Sequence, residues 1–106
     1  MRKTELQPLP QGEKLVNFSV TSMENSKIIL TGGYKSGTWQ SKVYVFDLEA
    51  ERWLEQEPLP DLREARRMHS SCSVGKVIYV YGGEGDGGYL STAEVLDTEA
   101  GATEWT

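Results

Sequence analysis

The sequence predicts an all-β fold made of two copies of one four-stranded antiparallel unit. Two observations carry this prediction: landmark residues recur at a spacing of about 50 positions, and β-branched or aromatic runs stop at Gly pairs. A third is the lack of a long amphipathic helical pattern, since the best candidate, Asp61–Met68, covers two turns at most. We expect the two units to occupy residues 1–60 and 61–106.

The repeat is defined by residues that return in the same order. The first three pairs lie 50 positions apart and the Trp pair lies 52 apart, because the second unit is longer by two residues before its Trp. Four landmarks that return in the same order at a spacing of 50 to 52 positions indicate a duplication. The pairs are Leu9-Pro10 with Leu59-Pro60, Gly32-Gly33 with Gly82-Gly83, Asp47 with Asp97, and Trp53 with Trp105.

Each unit is expected to contain four short antiparallel strands, which is the sequence form of a propeller blade. We expect polar loops over Lys35–Ser41 and Gly83–Gly88, between the second and third strands. The strands predicted for the first unit are Asn17–Met23, Lys27–Thr31, Val43–Asp47 and a short strand around Trp53; those for the second are His69–Val74, Lys76–Tyr81, Ala93–Asp97 and a short strand around Trp105.

Composition excludes several classes of function. The 106 residues carry a net charge of −5 and a pI of about 4.8, which disfavours nucleic-acid binding through bulk charge. No apolar run approaches the ~20 residues that cross a bilayer, and no apolar stretch follows Met1-Arg2-Lys3, so neither a membrane span nor a signal peptide is expected. The single cysteine, Cys72, favours a reducing compartment, cytoplasmic or nuclear.

The duplicated motif resembles the kelch repeat: a strand ending in Gly-Gly, an aromatic residue after a loop, then a Trp shortly after an Asp. The matching residues are Gly32, Gly33, Tyr44 and Trp53 in the first unit and Gly82, Gly83 and Trp105 in the second, where Val95 replaces the aromatic. The stretch Arg66–Ser71 also resembles the segment that leads into the innermost strand of a kelch blade, whereas Leu15–Ser19 is less typical.

We expect these motif residues to be structural. A Gly pair at the end of a buried strand allows positive φ and a close approach of the neighbouring sheet. The Trp and Tyr side chains supply apolar area between blades, worth roughly 2–3 kcal/mol each when fully buried. Because propellers close with about 4–8 blades, two blades are either part of a longer protein or a unit that self-associates to complete a ring.

The sequence offers little for catalysis, cofactors or metals. Gly83, Gly85 and Gly88 spell G-x-G-x-x-G, but a strand rather than a helix is expected next, and Glu84 and Asp86 would repel phosphate. These two acids could hold a weak Ca²⁺ ion, although a solvated loop is favoured. His69 and Cys72, three positions apart in a strand, should face opposite sides. We therefore expect no cofactor and no metal.

The only dense basic stretch, residues 63–67, provides three of the candidate binding residues, and the loop after the first Gly pair provides the others. Arginines there could grip acidic groups bidentately. By the kelch resemblance, the loop entering the inner strand and the loop after the Gly pair lie at one end of the ring, and an exposed Trp would suit a contact surface. The candidates are Tyr34, Lys35, Trp39, Arg63, Arg66 and Arg67.

The sequence thus predicts a non-enzymatic protein-interaction module that binds a protein or peptide, acidic in part, through inter-strand loops. The resemblance implies roles such as a substrate-recognition arm of a ubiquitin-ligase adaptor or a cytoskeletal scaffold. One alternative is a propeller fragment or self-assembling blade pair. Another is part of a kelch-like sugar-modifying enzyme, to which His69 is the one plausible contributor.

Overall fold

The structure, a computed structural model, describes residues 9, 14–55 and 59–106. Within these residues every regular element is a β-strand, so none of them forms a helix that could span a membrane. The strands are β1 (Ser19–Met23), β2 (Lys27–Thr31), β3 (Tyr34–Lys35), β4 (Thr38–Trp39), β5 (Val43–Asp47), β6 (Arg52–Leu54), β7 (Ser70–Val74), β8 (Val77–Tyr81), β9 (Glu84–Gly85), β10 (Gly88–Tyr89) and β11 (Ala93–Asp97).

The strands form two antiparallel blades, which confirms the predicted all-β fold class. Blade 1 has the order β1-β2-β5-β6, and blade 2 has the corresponding order β7-β8-β11. Registers match as well, because Thr31 pairs with Val43 in blade 1 and Tyr81 with Ala93 at the same positions of blade 2. The boundary between residues 60 and 61 remains a prediction.

The fourth strand of blade 2 is shorter than expected. In blade 1, β6 continues the sheet through pairs such as Val45 with Leu54. In blade 2 the corresponding contact is a single reciprocal pair, in which the amide of Thr106 donates to the carbonyl of Val95 and the amide of Val95 donates back, both at 3.0 Å. The two extra residues before Trp105 lengthen the preceding turn, and only Thr106 joins the sheet.

The predicted loops after the Gly pairs are two-stranded ribbons instead. β3 pairs with β4 in blade 1, and β9 pairs with β10 in blade 2. In blade 1 the two-residue turn is Ser36-Gly37, with φ +50° and +80°, and in blade 2 the turn is Asp86-Gly87, followed by Gly88 at φ +120° in the first position of β10. The G-x-G-x-x-G run therefore continues into a hairpin strand.

One face of blade 1 packs against the opposite face of blade 2 to make a shared core. Alternation along each strand explains why the buried residues of a blade share a face. Six residues of the strands β2, β5, β8 and β11 in this core have an exposure of 6% or less, and Met23 of β1, Leu62 and Trp105 complete the buried cluster. Blade 1 supplies Ile29, Val43 and Val45, and blade 2 supplies Ile78, Val80 and Leu96.

The aromatic motif residues of blade 1 serve its framework. Trp53 packs edge-to-face on Phe46 and Tyr44, with ring centroids 5.1 and 6.2 Å apart. The sheet registers align Tyr44 with Glu94, and not with the expected Val95, because Tyr44 pairs with Leu30 and Glu94 with the equivalent residue of β8. Blade 2 therefore has no counterpart of the Tyr44–Trp53 contact.

The Trp of the second motif is anchored in a different way. Trp105 is completely buried, and its indole nitrogen donates to the carbonyl of Pro60 at 2.8 Å. The hydrogen bond compensates for removing the indole N–H group from water, so the ring contributes its apolar area to the shared core.

The Gly pair of blade 1 is a point of very close approach between the backbones of the two blades. Gly32 has φ +61°, and a Cβ placed on it would lie 2.5 Å from the carbonyl oxygen of Arg66 and 2.7 Å from Cε1 of His69. The amide of Gly33 donates to the same Arg66 carbonyl at 2.8 Å. A side chain at Gly32 would push blade 2 away from blade 1.

We predict that Gly32→Ala destabilises the fold more than Gly101→Ala. Gly101 has a similar φ of +69°, but a methyl group at this position would have nothing within 4 Å, and Glu51 occupies the same turn of blade 1 at φ 55°. Gly101→Ala should cost roughly 1 kcal/mol of backbone strain, and Gly32→Ala about 1–3 kcal/mol more. Urea unfolding measures both, and equal costs would contradict the close approach.

Candidate partner-binding surface

The ribbons and the segment that leads into blade 2 meet at one end of the sheets. This connecting segment, residues 61–69, runs beside the ribbon of blade 1 and then pairs with the ribbon of blade 2. The amide of Arg66 donates to the carbonyl of Gln40 at 3.1 Å, and Arg67 exchanges two backbone hydrogen bonds of 2.9 Å with Glu84. Backbone bonding thus fixes where the side chains of residues 66 and 67 point.

Arg67 forms the centre of a compact cluster with Tyr34, Trp39 and Glu84. Its guanidinium carbon lies 4.4 Å from the centre of the Tyr34 ring and 5.7 Å from that of Trp39. Its Nε donates to Oε1 of Glu84 at 2.7 Å, and the indole nitrogen of Trp39 donates to the same oxygen at 3.3 Å. We call these four residues the ribbon cluster. Three of them were predicted from the sequence, and the structure brings those three into contact.

The ribbon cluster is half-buried. Trp39 lies in β4, where its ring packs edge-to-face on Tyr34 at 5.3 Å between centroids, so it is less exposed than an aromatic in a polar loop. Arg67 and Glu84 keep 26% and 23% of their side-chain surface exposed. The cluster therefore presents one side of two rings and a guanidinium to solvent.

Arg66 points the other way and is fully buried. Its guanidinium donates to the carbonyls of Gly82 and Thr92 at 3.1 and 3.0 Å and pairs with the carboxylate of Glu94 at 3.0 Å. Successive residues of an extended segment face opposite sides, so Arg66 enters blade 2 while Arg67 reaches the surface. The expected contact between Arg66 and a partner is not available in this arrangement, and the residue acts within the fold.

Glu94 links Arg66 to the backbone of the connecting segment. Its two carboxylate oxygens accept from the amides of Arg63 at 2.6 Å and Glu64 at 3.1 Å. The buried carboxylate thus has a charged partner and two backbone donors, which is the condition for tolerating a charge away from water. The Arg66–Glu94 pair orders the segment that carries Arg67.

The remaining two candidates, Arg63 and Lys35, lie outside the ribbon cluster. Arg63 is exposed at the rim of a shallow recess shared with Glu64, Thr92 and Thr106, and its side chain has no ion pair with any described residue. Lys35 is half-buried in β3. Arg63 is the cation of the basic stretch that is best placed for a ligand.

His69 belongs to the inter-blade contact. Its Nε2 lies 2.8 Å from Oγ1 of Thr31, across the interface, and the residue is 7% exposed. Burial, together with the charge of Arg66, lowers the pKa of His69 to about 4, against the opposing effect of the Thr31 contact. Cys72, three residues on, is exposed, and the described residues contain no group of three metal-ligating side chains.

Sequence reasoning missed Glu94 and considered Glu84 only as a weak Ca²⁺ ligand, not as a partner of an arginine. Both act through contacts with arginines that are distant in the chain, which spacing alone does not reveal. The 50-residue repeat held a partial signal, because it aligns Glu84 with Tyr34 and Tyr89 with Trp39. That alignment marks the ribbons as places where the two blades present different chemistry.

We predict that Arg66→Ala destabilises the fold by about 3–5 kcal/mol, because it leaves the Glu94 carboxylate buried without its cation. Arg67→Ala is the matched control, since it removes the same side chain from a partly exposed pair and should cost about 1 kcal/mol or less. Chemical denaturation compares the two variants. A similar loss for both would contradict the different roles assigned to these neighbours.

We also predict an NMR titration midpoint for His69 near pH 4, below its ordinary value of 6.5. The chain has one histidine, so its imidazole signal needs no assignment. Because the folded pKa is depressed, the unfolded chain takes up the proton first. The free energy of unfolding is therefore unaffected by His69 above pH 6.5. It decreases as the pH falls from 6.5 towards 4, by an amount on the order of 3 kcal/mol. A midpoint near 6.5 would contradict the buried, neutral imidazole.

Comparison with known proteins identifies the family. Two family profiles of the kelch motif match, one over residues 19–60 and the other over residues 65–105. Alpha-scruin of Limulus polyphemus is 34% identical over 98 residues, which are 85% of this chain and 10% of that protein. A Rho GTPase-activating protein, gacHH of Dictyostelium discoideum, is 31% identical over 71 residues, 65% of this chain and 5% of that protein.

Human kelch domain-containing protein 3 is 40% identical over 43 residues, which are 41% of this chain and 11% of that protein. The chain therefore spans about a tenth or less of the length of these curated relatives. Two motif matches, one on each blade of an all-β structure, agree with the duplicated sequence pattern. The chain belongs to the kelch-repeat family.

Proposed function

We propose that this chain binds a partner protein or peptide through the ribbon cluster and the cations beside it, without catalysing a reaction. Kelch repeats form protein-interaction propeller modules, and the family is generally non-enzymatic. The observation that carries the proposal is the contact of Arg67 with Tyr34 and Trp39. It joins the ribbon of one blade to the connecting segment of the next in a single surface.

The chemistry of the cluster suits recognition of a protein segment. Trp, Tyr and Arg are the residue types most enriched where a few side chains supply most of the binding energy. Arg67 is already held by Glu84 and by the two rings, so little rotamer freedom remains to be lost when a partner binds. A preordered, partly exposed surface of this kind favours an extended segment laid across the ribbon.

The charge distribution bears on the expected acidic partner. The charge of Arg67 is shared with Glu84 at 2.7 Å, and that of Arg66 is neutralised inside blade 2 by Glu94. Arg63 is exposed on the same connecting segment, four residues before Arg67, and is the cation that could hold a carboxylate or phosphate group. We therefore assign apolar contact to the cluster and the acidic contact to Arg63.

The role of the whole protein is a further part of this proposal. A substrate-recognition arm of a ubiquitin-ligase adaptor and a cytoskeletal scaffold both need a propeller end that holds a partner, and a cytoplasmic or nuclear location fits both. The similarity to alpha-scruin covers most of this chain. A binding role is favoured over a catalytic one because His69, the candidate acid–base group, lies buried against Thr31.

The test starts from peptides selected on the immobilised chain from a random library. Their affinities for Trp39→Ala and Arg67→Ala should fall at least about tenfold, the effect of losing a well-packed anchor. Arg63→Ala should weaken the acidic peptides among them and reduce the salt dependence of their binding. Fluorescence anisotropy measures these affinities, and circular dichroism checks that each variant is folded.

Arg52→Ala is the matched control, because Arg52 is an exposed arginine at the opposite end of blade 1. Its affinity for every selected peptide should equal that of the unmodified chain. Peptides that bind the Trp39 and Arg67 variants as tightly as the unmodified chain would place the binding surface elsewhere and refute the proposal, as would a selection that yields no binder.

A further inference from the structure

The Arg67–Glu84 pair of the ribbon cluster leaves part of each side chain without a partner. Within the described residues, the guanidinium of Arg67 donates through Nε, to Oε1 of Glu84 at 2.7 Å. The indole nitrogen of Trp39 donates to the same oxygen at 3.3 Å. The terminal nitrogens of Arg67, Nη1 and Nη2, and the second carboxylate oxygen of Glu84, Oε2, therefore have no hydrogen-bond partner in the described chain.

These unpartnered atoms are open to solvent. Arg67 and Glu84 are both half-buried side chains at the edge of the cluster. Among the described residues, the one buried side-chain nitrogen or oxygen that lacks a partner is Nδ1 of His69, which lies in the inter-blade contact. Nη1, Nη2 and Oε2 are therefore accessible, and they offer hydrogen-bond donors beside an acceptor at the surface.

Backbone and ring contacts hold these donors and this acceptor in place. Arg67 and Glu84 exchange two backbone hydrogen bonds of 2.9 Å, so their side chains leave the backbone at fixed positions. The guanidinium carbon is held 4.4 Å from the centre of the Tyr34 ring. A ligand therefore meets groups that are already ordered and loses little affinity to ordering them. The rings of Tyr34 and Trp39 also strengthen hydrogen bonds made beside them, because they lower the local dielectric.

The charges of the pair disfavour a charged ligand group. Glu84 neutralises Arg67, and its Oε2 would repel a carboxylate or phosphate that approached the guanidinium. Arg67 would likewise repel an ammonium group that approached Oε2. A neutral group that has both an acceptor and a donor satisfies the two sides without either repulsion.

A primary carboxamide, the side-chain group of Asn and Gln, has this pattern. Its oxygen accepts hydrogen bonds and its nitrogen carries two N–H donors, and both atoms lie at the same end of the side chain. A main-chain peptide group is also neutral, but because its bond is trans, its N–H and C=O point in opposite directions. One peptide group therefore cannot reach both a terminal nitrogen of Arg67 and Oε2 of Glu84.

We propose that the ribbon cluster recognises a Gln or Asn side chain of the partner segment. The carboxamide oxygen accepts from a terminal nitrogen of Arg67, and the carboxamide nitrogen donates to Oε2 of Glu84. This inference rests on the proposed function and names the polar group that the cluster selects. Tyr34 and Trp39 keep the apolar contact, and Glu84 determines the specificity.

Peptide libraries with one fixed central residue test this specificity. The fixed residue is Gln, Glu or Met, three side chains of similar length, and the flanking positions are randomised. Selection on the immobilised chain should favour the Gln library. Replacing that Gln by Glu or Met in the selected peptides should weaken binding at least about tenfold, because hydrogen bonds to the cluster are lost. Fluorescence anisotropy measures the affinities, and Trp39→Ala should weaken every selected peptide.

Glu84→Gln should reverse the preference. The substitution keeps an oxygen that accepts from Arg67 and Trp39, but it puts an N–H donor in place of Oε2 and leaves the charge of Arg67 uncompensated. Donors on both sides then fit a carboxylate, so each Glu peptide should bind more tightly than its Gln counterpart. Asp86→Asn is the matched control, because Asp86 is exposed in the turn of the same ribbon and carries the same charge. This variant should still prefer Gln, and circular dichroism checks that both variants are folded.

The outcomes separate this inference from the proposed function. Peptides that lose affinity with Trp39→Ala but bind equally well with Gln, Glu or Met would overturn the carboxamide assignment and leave the binding surface in place. A preference for Gln that persists in Glu84→Gln would also overturn it. Peptides that Trp39→Ala and Arg67→Ala leave unaffected would refute the proposed function, and this inference with it.

Discussion

The hydrogen bond from the Gly33 amide to the Arg66 carbonyl is the contact on which the rest of the structure depends. It requires a residue without Cβ at Gly32, since a methyl group there would lie 2.5 Å from the same carbonyl oxygen. With the backbone at this distance, the apolar faces of the two blades meet and bury Ile29 and Val80. The shared core therefore follows from a local backbone constraint.

The same contact determines the chemistry at the end of the blades. Once the Arg66 backbone is bonded to blade 1, its side chain has to enter blade 2, where Glu94 neutralises it. The next side chain, that of Arg67, then faces outward over Tyr34. Each buried charge of this pair is compensated by the other, so the pair is stable only while both side chains are present. Here it positions the arginine that we assign to partner binding.

Much of the fold could be predicted from the sequence, because β-branched runs, Gly pairs and a repeat are local signals. The ribbons could not be, since two-residue strands such as β3 are too short to show alternation. The burial of Arg66 was also beyond sequence reasoning. Arg66 differs from Arg67 only in the direction of its side chain, and its partner Glu94 is 28 positions away in the sequence. Trp39 was predicted only as an aromatic in a polar loop, and the packing of its ring on Tyr34 depends on the ribbon.

The central claim is that the two blades form one cooperative unit through the backbone bonds of the connecting segment. Native-state hydrogen exchange tests it most directly, by comparing the amides of Gly33 and Arg66 with those of the central strands at Ile29 and Val80. The account predicts that all four amides exchange with the same free energy of opening, that of global unfolding. Exchange at Gly33 and Arg66 while the strand amides stay protected would show that the blades separate independently, and would contradict it.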